Sequence, residues 1–388
     1  MPTRDLAFVA QGKLHLRGDA GTDSIESKFG RSLRERAAQI HHRHAWKSQG
    51  RGAQFMSGML WGAEAGDPGE FRVAITGVAR GRHADEFLYS LETNDVSGIF
   101  AVADGIEQRM FHTADFRLRH ISLHPDRDSL AASVFHNNLS AHIAVLRVAG
   151  SDFAEVTEGD SFDLAPRWVA GEGRKLVFQS AGIGRNAGGR FTALGPFAIQ
   201  QLDLDSGEME CLLEDPEFDL MSPHKTADGT LYYIRRPHGG TAQKVAPLHA
   251  LKDVVLFPFR LLHAVFQFFN FFTVRYTGKP LSTSKGAGQK QPDLKQMMIW
   301  GNMVNVDRAA REGQGEEGAP ALVPSSWQLM RRSSAGKTDV IAKSVLSFDV
   351  CEDGSVLYSN GSAIHKLAPG GKAERVLVGT MIEQVAAL

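Results

Sequence analysis

The sequence predicts an all-β chain: a single β-propeller of about six blades spanning residues 1–388, closed by its N- and C-terminal strands. Three observations predict it. A strand–turn–strand unit recurs along the chain, the units are spaced like four-stranded blades, and the two chain ends resemble neighbouring halves of one unit.

The recurring unit is clearest in three places. Phe116 leads through Ser122-Leu123-His124-Pro125-Asp126 to the apolar run Leu130–Phe135. Phe162-Asp163-Leu164-Ala165-Pro166-Arg167-Trp168 leads through Gly171-Glu172-Gly173 to Leu176-Val177-Phe178-Gln179. Phe218-Asp219-Leu220-Met221-Ser222-Pro223 leads through Asp228-Gly229 to Leu231-Tyr232-Tyr233-Ile234. A shorter copy runs Phe348-Asp349-Val350, Asp353-Gly354, Val356-Leu357-Tyr358. Each is two strands around a turn, and in three of the four copies the turn holds a Gly, which reaches positive φ at little cost. Phe116 and Phe162 lie 46 residues apart, and Phe162 and Phe218 lie 56 apart. Those distances fit four-stranded blades of roughly 40–50 residues.

The stretch Asp163, Pro166-Arg167-Trp168, Gly173-Arg174-Lys175-Leu176-Val177-Phe178 resembles the repeat of TolB-like and WD-type β-propellers, as does Leu202-Asp203-Leu204-Asp205-Ser206-Gly207-Glu208. It departs from that repeat at Ala170-Gly171-Glu172-Gly173, where the family has Ser-Pro-Asp-Gly. The resemblance covers about half the chain. It implies the propeller fold, not the partners of TolB.

The chain ends explain each other. Asp5–Leu16 reads as two strands around Gln11-Gly12 and is similar to Ser355–Lys366 around Asn360-Gly361. The last segment, Met381–Leu388, has no turn or partner after it. It is expected to supply the innermost strand of a blade whose outer strands lie at Leu6–Leu16, removing the exposed edges that invite aggregation. A further blade is expected over Arg72–Phe111, with strands near Val73–Val78, Phe87–Leu91, Ile99–Ala103 and Gln108–Phe111.

Two stretches do not read as blade. Residues 24–48 read as a helix with Leu33, Ala37 and Ile40 on one face and Arg31, Arg34, Glu35 and Arg36 on the other. Residues 237–324 read as an insertion in the fifth blade, which resumes at Trp327–Arg332, turns at Ala335-Gly336-Lys337 and leaves through Val340–Ala342.

Within that insertion, residues 254–276 place Arg260, His263, Gln267 and Asn270 at helical spacing, a narrow polar stripe. Leu256, Phe257, Phe259, Leu262, Phe266, Phe269 and Phe272 form a broad apolar face. Arg275 and Lys279 begin a basic tail. These residues are the candidate membrane- or partner-binding set. Three readings stand: a membrane span, a helix lying in the interface of an anionic leaflet, and a helix covered by the propeller or by a second copy in a homo-oligomer.

Catalytic chemistry is harder to find. The glycine-rich run Ser180–Gly189 would have to open a helix to cradle phosphate, and strand follows it. His41, His42 and His44 have no carboxylate or Cys at ligand spacing. His124 takes a turn position of the repeat, in the same blade as His120, His136 and His142. Asp115, Asp163, Asp219 and Asp349 recur near blade entrances, where they either cap turns or line a central tunnel. No Gly-x-Ser-x-Gly elbow occurs.

A formal net charge of −1 gives no reason to expect nucleic acid. Two distant cysteines, Cys211 and Cys351, and an N-terminus without a secretory apolar stretch predict a reduced, cytoplasmic protein, peripheral on the inner face of a membrane. The reading that follows is a non-enzymatic scaffold for an unknown protein partner, with no catalytic, cofactor or metal residues assigned. Its alternative is a metal- or small-ligand-binding propeller, hydrolase or lyase, using the tunnel mouth with acids such as Asp163 and Asp219.

Overall fold

The computed structural model describes residues 4–19, 21–48, 71–83, 86–126, 128–148, 153–239, 296–299, 302–305 and 319–388. The chain divides into two units, residues 1–238 with 306–388, and residues 239–305. The first unit is a β-propeller.

Strands β1 (Arg4–Ala10), β2 (Lys13–Gly18) and β3 (Gly21–Ile25) form an antiparallel meander. Gln11 and Gly12, both at positive φ, make the first turn. Helix α1 (Lys28–Ser48) follows. It begins later than the sequence predicts because Ser24 and Ile25 pair with His15 and Leu14 and extend β3 instead.

The helix N-terminus is satisfied twice. Ser27 Oγ accepts the Gly30 amide at 3.0 Å, and the Glu107 carboxylate accepts the Lys28 and Phe29 amides, each at 2.9 Å. A carboxylate there also favours the positive end of the helix dipole. Leu33 and Ala37 are half-buried and Ile40 is exposed, so α1 docks by its first turns.

Four-stranded antiparallel sets follow. The second is β4 (Val73–Arg80), β5 (Phe87–Thr93), β6 (Ser97–Ala103) and β7 (Ile106–Thr113). The third is β8 (Arg117–Leu123), β9 (Ser129–Phe135), β10 (Ala141–Arg147) and β11 (Phe153–Glu155). The fourth is β12 (Ser161–Trp168), β13 (Lys175–Arg185), β15 (Ala198–Asp203) and β16 (Met209–Leu213), with β14 (Phe191–Leu194) pairing the extended end of β13. One parallel bridge, Ala141 to Phe162, joins the third and fourth sets. The glycine-rich run is the second half of β13 and the tip of the β13–β14 hairpin, closed by Asn186 and Arg190, and opens no helix.

The fifth set is β17 (Phe218–Lys225), β18 (Leu231–Pro237), β21 (Gln328–Arg332) and β22 (Thr338–Lys343). The sixth is β23 (Ser347–Val350), β24 (Val356–Ser359), β25 (Ala363–Leu367) and β26 (Ala373–Val378). Strand β27 (Ile382–Ala387) returns to pair antiparallel with β1, from Leu6↔Ala387 to Ala10↔Ile382. The C-terminal strand therefore closes the N-terminal set, as the sequence predicts.

Strands β27, β4, β8, β12, β17 and β23 touch one another in that cyclic order and form the inner ring. Between sets lie apolar layers. Leu14, Leu16, Val78, Phe87, Tyr89 and Phe100 fill the first, and Ala131, Ile143, Trp168, Leu176, Phe178 and Leu202 fill a later one. Burial of such side chains contributes about 1.5–3 kcal/mol each.

In the second unit, β19 (Gln296–Ile299) and β20 (Asn302–Asn305) form an antiparallel pair. Residues 254–276 lie outside the described residues. No described helix is long and apolar enough to cross a membrane.

Candidate functional site

The inner strands carry the densest ionisable chemistry. β8, β12 and β17 each break register near their middle, with His120, Ala165 and Ser222 at φ of 51–53°. Such bulges free backbone amides from the ladder. Neighbouring sets take them up: Ser133 Oγ accepts the Ala165 amide at 3.1 Å, and Gln179 Oε1 accepts the Ser222 amide at 2.7 Å. Around β4, which also breaks register, Gln384 of β27 accepts from Val78 N and donates to Val78 O.

The repeated acids serve these ties. Asp163 is buried, its two oxygens accepting from Ser180 Oγ at 2.6 Å and Ser161 Oγ at 3.0 Å. Asp219 is buried against Arg236 Nε (3.0 Å), His238 Nδ1 (2.7 Å) and the Phe197 amide (3.2 Å). Asp349 lies 3.2 Å from Arg167 Nη2 and 3.5 Å from His224 Nδ1, and accepts the Ala387 amide at 2.9 Å. Burial alone would raise the Asp349 carboxyl; Arg167, His224 and the Ala387 amide together hold it below its ordinary value. Asp115 is exposed in the turn before β8, because it precedes its Phe where the other three acids follow theirs.

Arg167, His224 and Asp349 thus come from three inner strands and form one cluster. Burial, reinforced by the charges of Arg119 and Arg167, pushes His120 down to about 3. It is neutral at physiological pH. Burial also raises Glu383 on β27, against the pull of Arg72 and Arg119. Of the acids named by the sequence, Asp163, Asp219 and Asp349 are therefore engaged by Ser, Arg, His and backbone donors.

Arg236 has a second contact. Its guanidinium stacks 4.9 Å over the Trp327 ring. Arg236 sits in β18 just before the insertion and Trp327 just before β21. Trp168 of the TolB-like repeat is buried and donates its indole N–H to Ser122 O at 3.0 Å, with His124 edge-on at 4.6 Å. The repeat signature is structural.

A second polar grouping lies at the margin of the third set. His136 follows β9, His142 is in β10 and Glu155 ends β11. Asn138, Ser140, Thr157 and Glu158 line the same cleft, of about 440 Å³. Glu155 Oε2 lies 3.0 Å from His136 Nε2 and 2.9 Å from His142 Nδ1. Among the described residues this is the one group of three or more His, Cys, Asp or Glu close enough to share a metal ion. Sequence reasoning placed both histidines in one blade but missed Glu155, because only the β10–β11 pairing, Ala144↔Glu155, brings it near.

The apolar candidates Leu256, Phe257, Phe259, Leu262, Phe266, Phe269 and Phe272, with Arg275 and Lys279, lie outside the described residues, as do the side chains of His41, His42 and His44. Cys211 is exposed, Cys351 half-buried, and both are unpaired thiols.

No family model and no curated protein matches the chain. Among solved structures it is similar to TolB from Acinetobacter baumannii, with TM-score 0.51 and 11% identity over 99% of this chain and 66% of that one. It is also similar to a chain of the nidogen/laminin complex, with TM-score 0.50 and 8% identity over 99% and 97%. The tricorn protease is more distant, with TM-score 0.45 and 9% identity over 100% of this chain and 35% of that one. The chain spans 66% of the length of the Acinetobacter TolB chain. At these identities the likeness is one of fold, and the fold is that of a TolB-like β-propeller.

Proposed function

We propose that the chain is a non-enzymatic propeller scaffold for protein–protein interaction, attached peripherally to a membrane through residues 254–276. One observation carries this reading. β18 and β21 pair directly, from Leu231↔Arg332 to Arg235↔Gln328, so the fifth set is complete without the long segment between them. Residues 319–323, at the far end of that segment, pack back on the propeller, with Ala321 and Val323 buried, and the stretch before them holds a broad aromatic face and a basic tail. Amphipathic stretches of this kind bind interfaces through buried apolar area and attraction to anionic lipid. The engagement of the inner-ring acids by structural donors supports the non-enzymatic part. The rigid faces of a propeller, with loops for recognition, suit a partner protein.

Flotation of the full chain with anionic liposomes tests the membrane arm, against a variant lacking residues 248–276. The full chain is expected to float and the variant to remain below. Equal behaviour of the two would remove the membrane assignment, and a detergent-sensitive oligomer without flotation would reassign the segment to self-association.

A further inference from the structure

We infer that His136, His142 and Glu155 form a binding site for a divalent transition-metal ion of the zinc class. The argument begins with hydrogen-bond bookkeeping. His142 Nε2 lies 3.0 Å from the Gly159 carbonyl oxygen, which only accepts, so Nε2 carries a proton and donates it. In a neutral imidazole the other nitrogen, Nδ1, is then a bare lone pair. That lone pair faces Glu155 Oε2 at 2.9 Å, and a carboxylate oxygen is also an acceptor. His136 Nε2 approaches the same oxygen at 3.0 Å. A proton on Nδ1 would satisfy that one contact, whereas a metal ion held by the two imidazole nitrogens and the carboxylate engages all three ligand atoms at once.

The surroundings match metal ligation. A ligating histidine characteristically donates its other ring N–H to a carbonyl or carboxylate, which fixes the tautomer and the ring plane; the Gly159 carbonyl does this for His142. Ligand atoms about 2.0–2.1 Å from a tetrahedral ion sit roughly 3.3 Å from one another. The two separations from Glu155 need to open by only a few tenths of an ångström, and all the ligand atoms lie within 4.8 Å of one another. Two imidazoles and one carboxylate favour Zn²⁺ and its neighbours over Ca²⁺ or Mg²⁺, which demand more oxygen ligands.

Hydrogen bonds hold the ligands in place. His142 pairs with Val134 in the β9–β10 ladder, and Glu155 with Ala144 in the β10–β11 ladder. The His136 amide donates to Ser140 O at 2.9 Å, and Asn138 Oδ1 accepts from both Ser140 N and Ser140 Oγ. The Ile143 amide donates to Thr157 Oγ1 at 2.9 Å. Three protein ligands facing a cleft leave the fourth position for water or for a donor from outside the chain. This site is independent of the scaffold reading and of the 254–276 segment.

The test is calorimetric titration of the chelator-treated full chain with Zn²⁺ alone, beside His142→Ala, His136→Ala and Glu155→Gln. One Zn²⁺ per chain is expected, with affinity falling at least about tenfold in each variant, the scale on which metal sites respond to loss of a supporting partner. Glu155→Gln preserves shape and hydrogen-bonding capacity, so its loss of affinity cannot be assigned to misfolding. At one fixed concentration, Zn²⁺ should raise the melting temperature of the full chain by more than that of any of the three variants. A His41→Ala/His44→Ala variant should bind as the full chain does. Absence of stoichiometric binding, or a site that survives all three substitutions, overturns the assignment.

Discussion

The Oδ2 oxygen of Asp349 accepts the amide of Ala387 at 2.9 Å. The acid that opens the sixth set therefore holds the strand that completes the first. Its other oxygen faces Arg167 and His224, from the fourth and fifth sets. One side chain ties the closing strand to two further positions on the inner ring.

Asp349→Ala should destabilise the chain by about 1–3 kcal/mol, because Arg167 and the Ala387 amide lose a charged acceptor. The Arg167 guanidinium is about one-quarter exposed, so water offsets part of the loss. Urea denaturation gives the magnitude. Hydrogen exchange should accelerate first at Ala387 and along β27, and uniform acceleration across the sets would contradict a local closure role.

The neutral His120 sets a pH dependence. Its pKa falls to about 3 in the folded chain, against an ordinary 6.5 when unfolded. Between those values the unfolded chain binds a proton that the folded chain refuses, so stability is full above about pH 6.5 and declines as the pH drops toward 3. The slope from this one group is at most about 1.4 kcal/mol per pH unit. His120→Asn, which tolerates the positive φ, should flatten the stability profile across that range. Asp349 acts in the same direction at lower pH: its pKa is depressed, so its contribution is lost as the pH falls through the lowered value.

Gly361 should resist substitution. Its φ is +92°, and a Cβ there would lie 2.8 Å from Leu322 Cβ. Gly361→Ala is expected to cost about 2–4 kcal/mol through strain and overpacking together. Adding Leu322→Ala should recover only part of the steric cost, because it removes the Cγ and Cδ1 contacts at 2.9 Å and keeps the Cβ contact; chemical denaturation of the single and double variants reads the difference.

Arg236→Ala should be the most damaging of these changes, at about 3–5 kcal/mol. The pair with Asp219 is nearly sealed from water, the two side chains being 4% and 3% exposed, so removal of the cation leaves the buried carboxylate with only His238 and the Phe197 amide. Arg236→Lys keeps the charge but loses the planar stack on Trp327, and an intermediate loss is expected. Thermal unfolding of the three proteins orders them.

Much of this fold is legible in the sequence because its signals are local. The Phe-Asp pairs at 162, 218 and 348 mark inner strands, and Asp228-Gly229 and Asp353-Gly354 mark the turns after them. The likeness of Asp5–Leu16 to Ser355–Lys366 is real: both are the second and third strands of their sets. The start of α1 was misread because Ser24 and Ile25 are held as strand by β2, a tertiary effect that helical periodicity cannot register. The Arg167–Asp349 pair and the Glu155 approach to His136 and His142 were illegible for the same reason. Their spacings follow no period, and only the pairing of sets and strands brings them together.

The Arg236–Trp327 stack has an evolutionary corollary. Two residues that bracket a detour of 90 residues meet, and the strands beside them are hydrogen-bonded to each other. Loop-closure entropy rises only by about 0.6 kcal/mol for each doubling of loop length. The fifth set is therefore a permissive port for length: closing a longer excursion between its strands adds little entropic cost. Lineages could lengthen, shorten or exchange that passenger while keeping His238 and the buried residues Ala321 and Val323 that flank it, and an engineer could graft a foreign domain inside those limits.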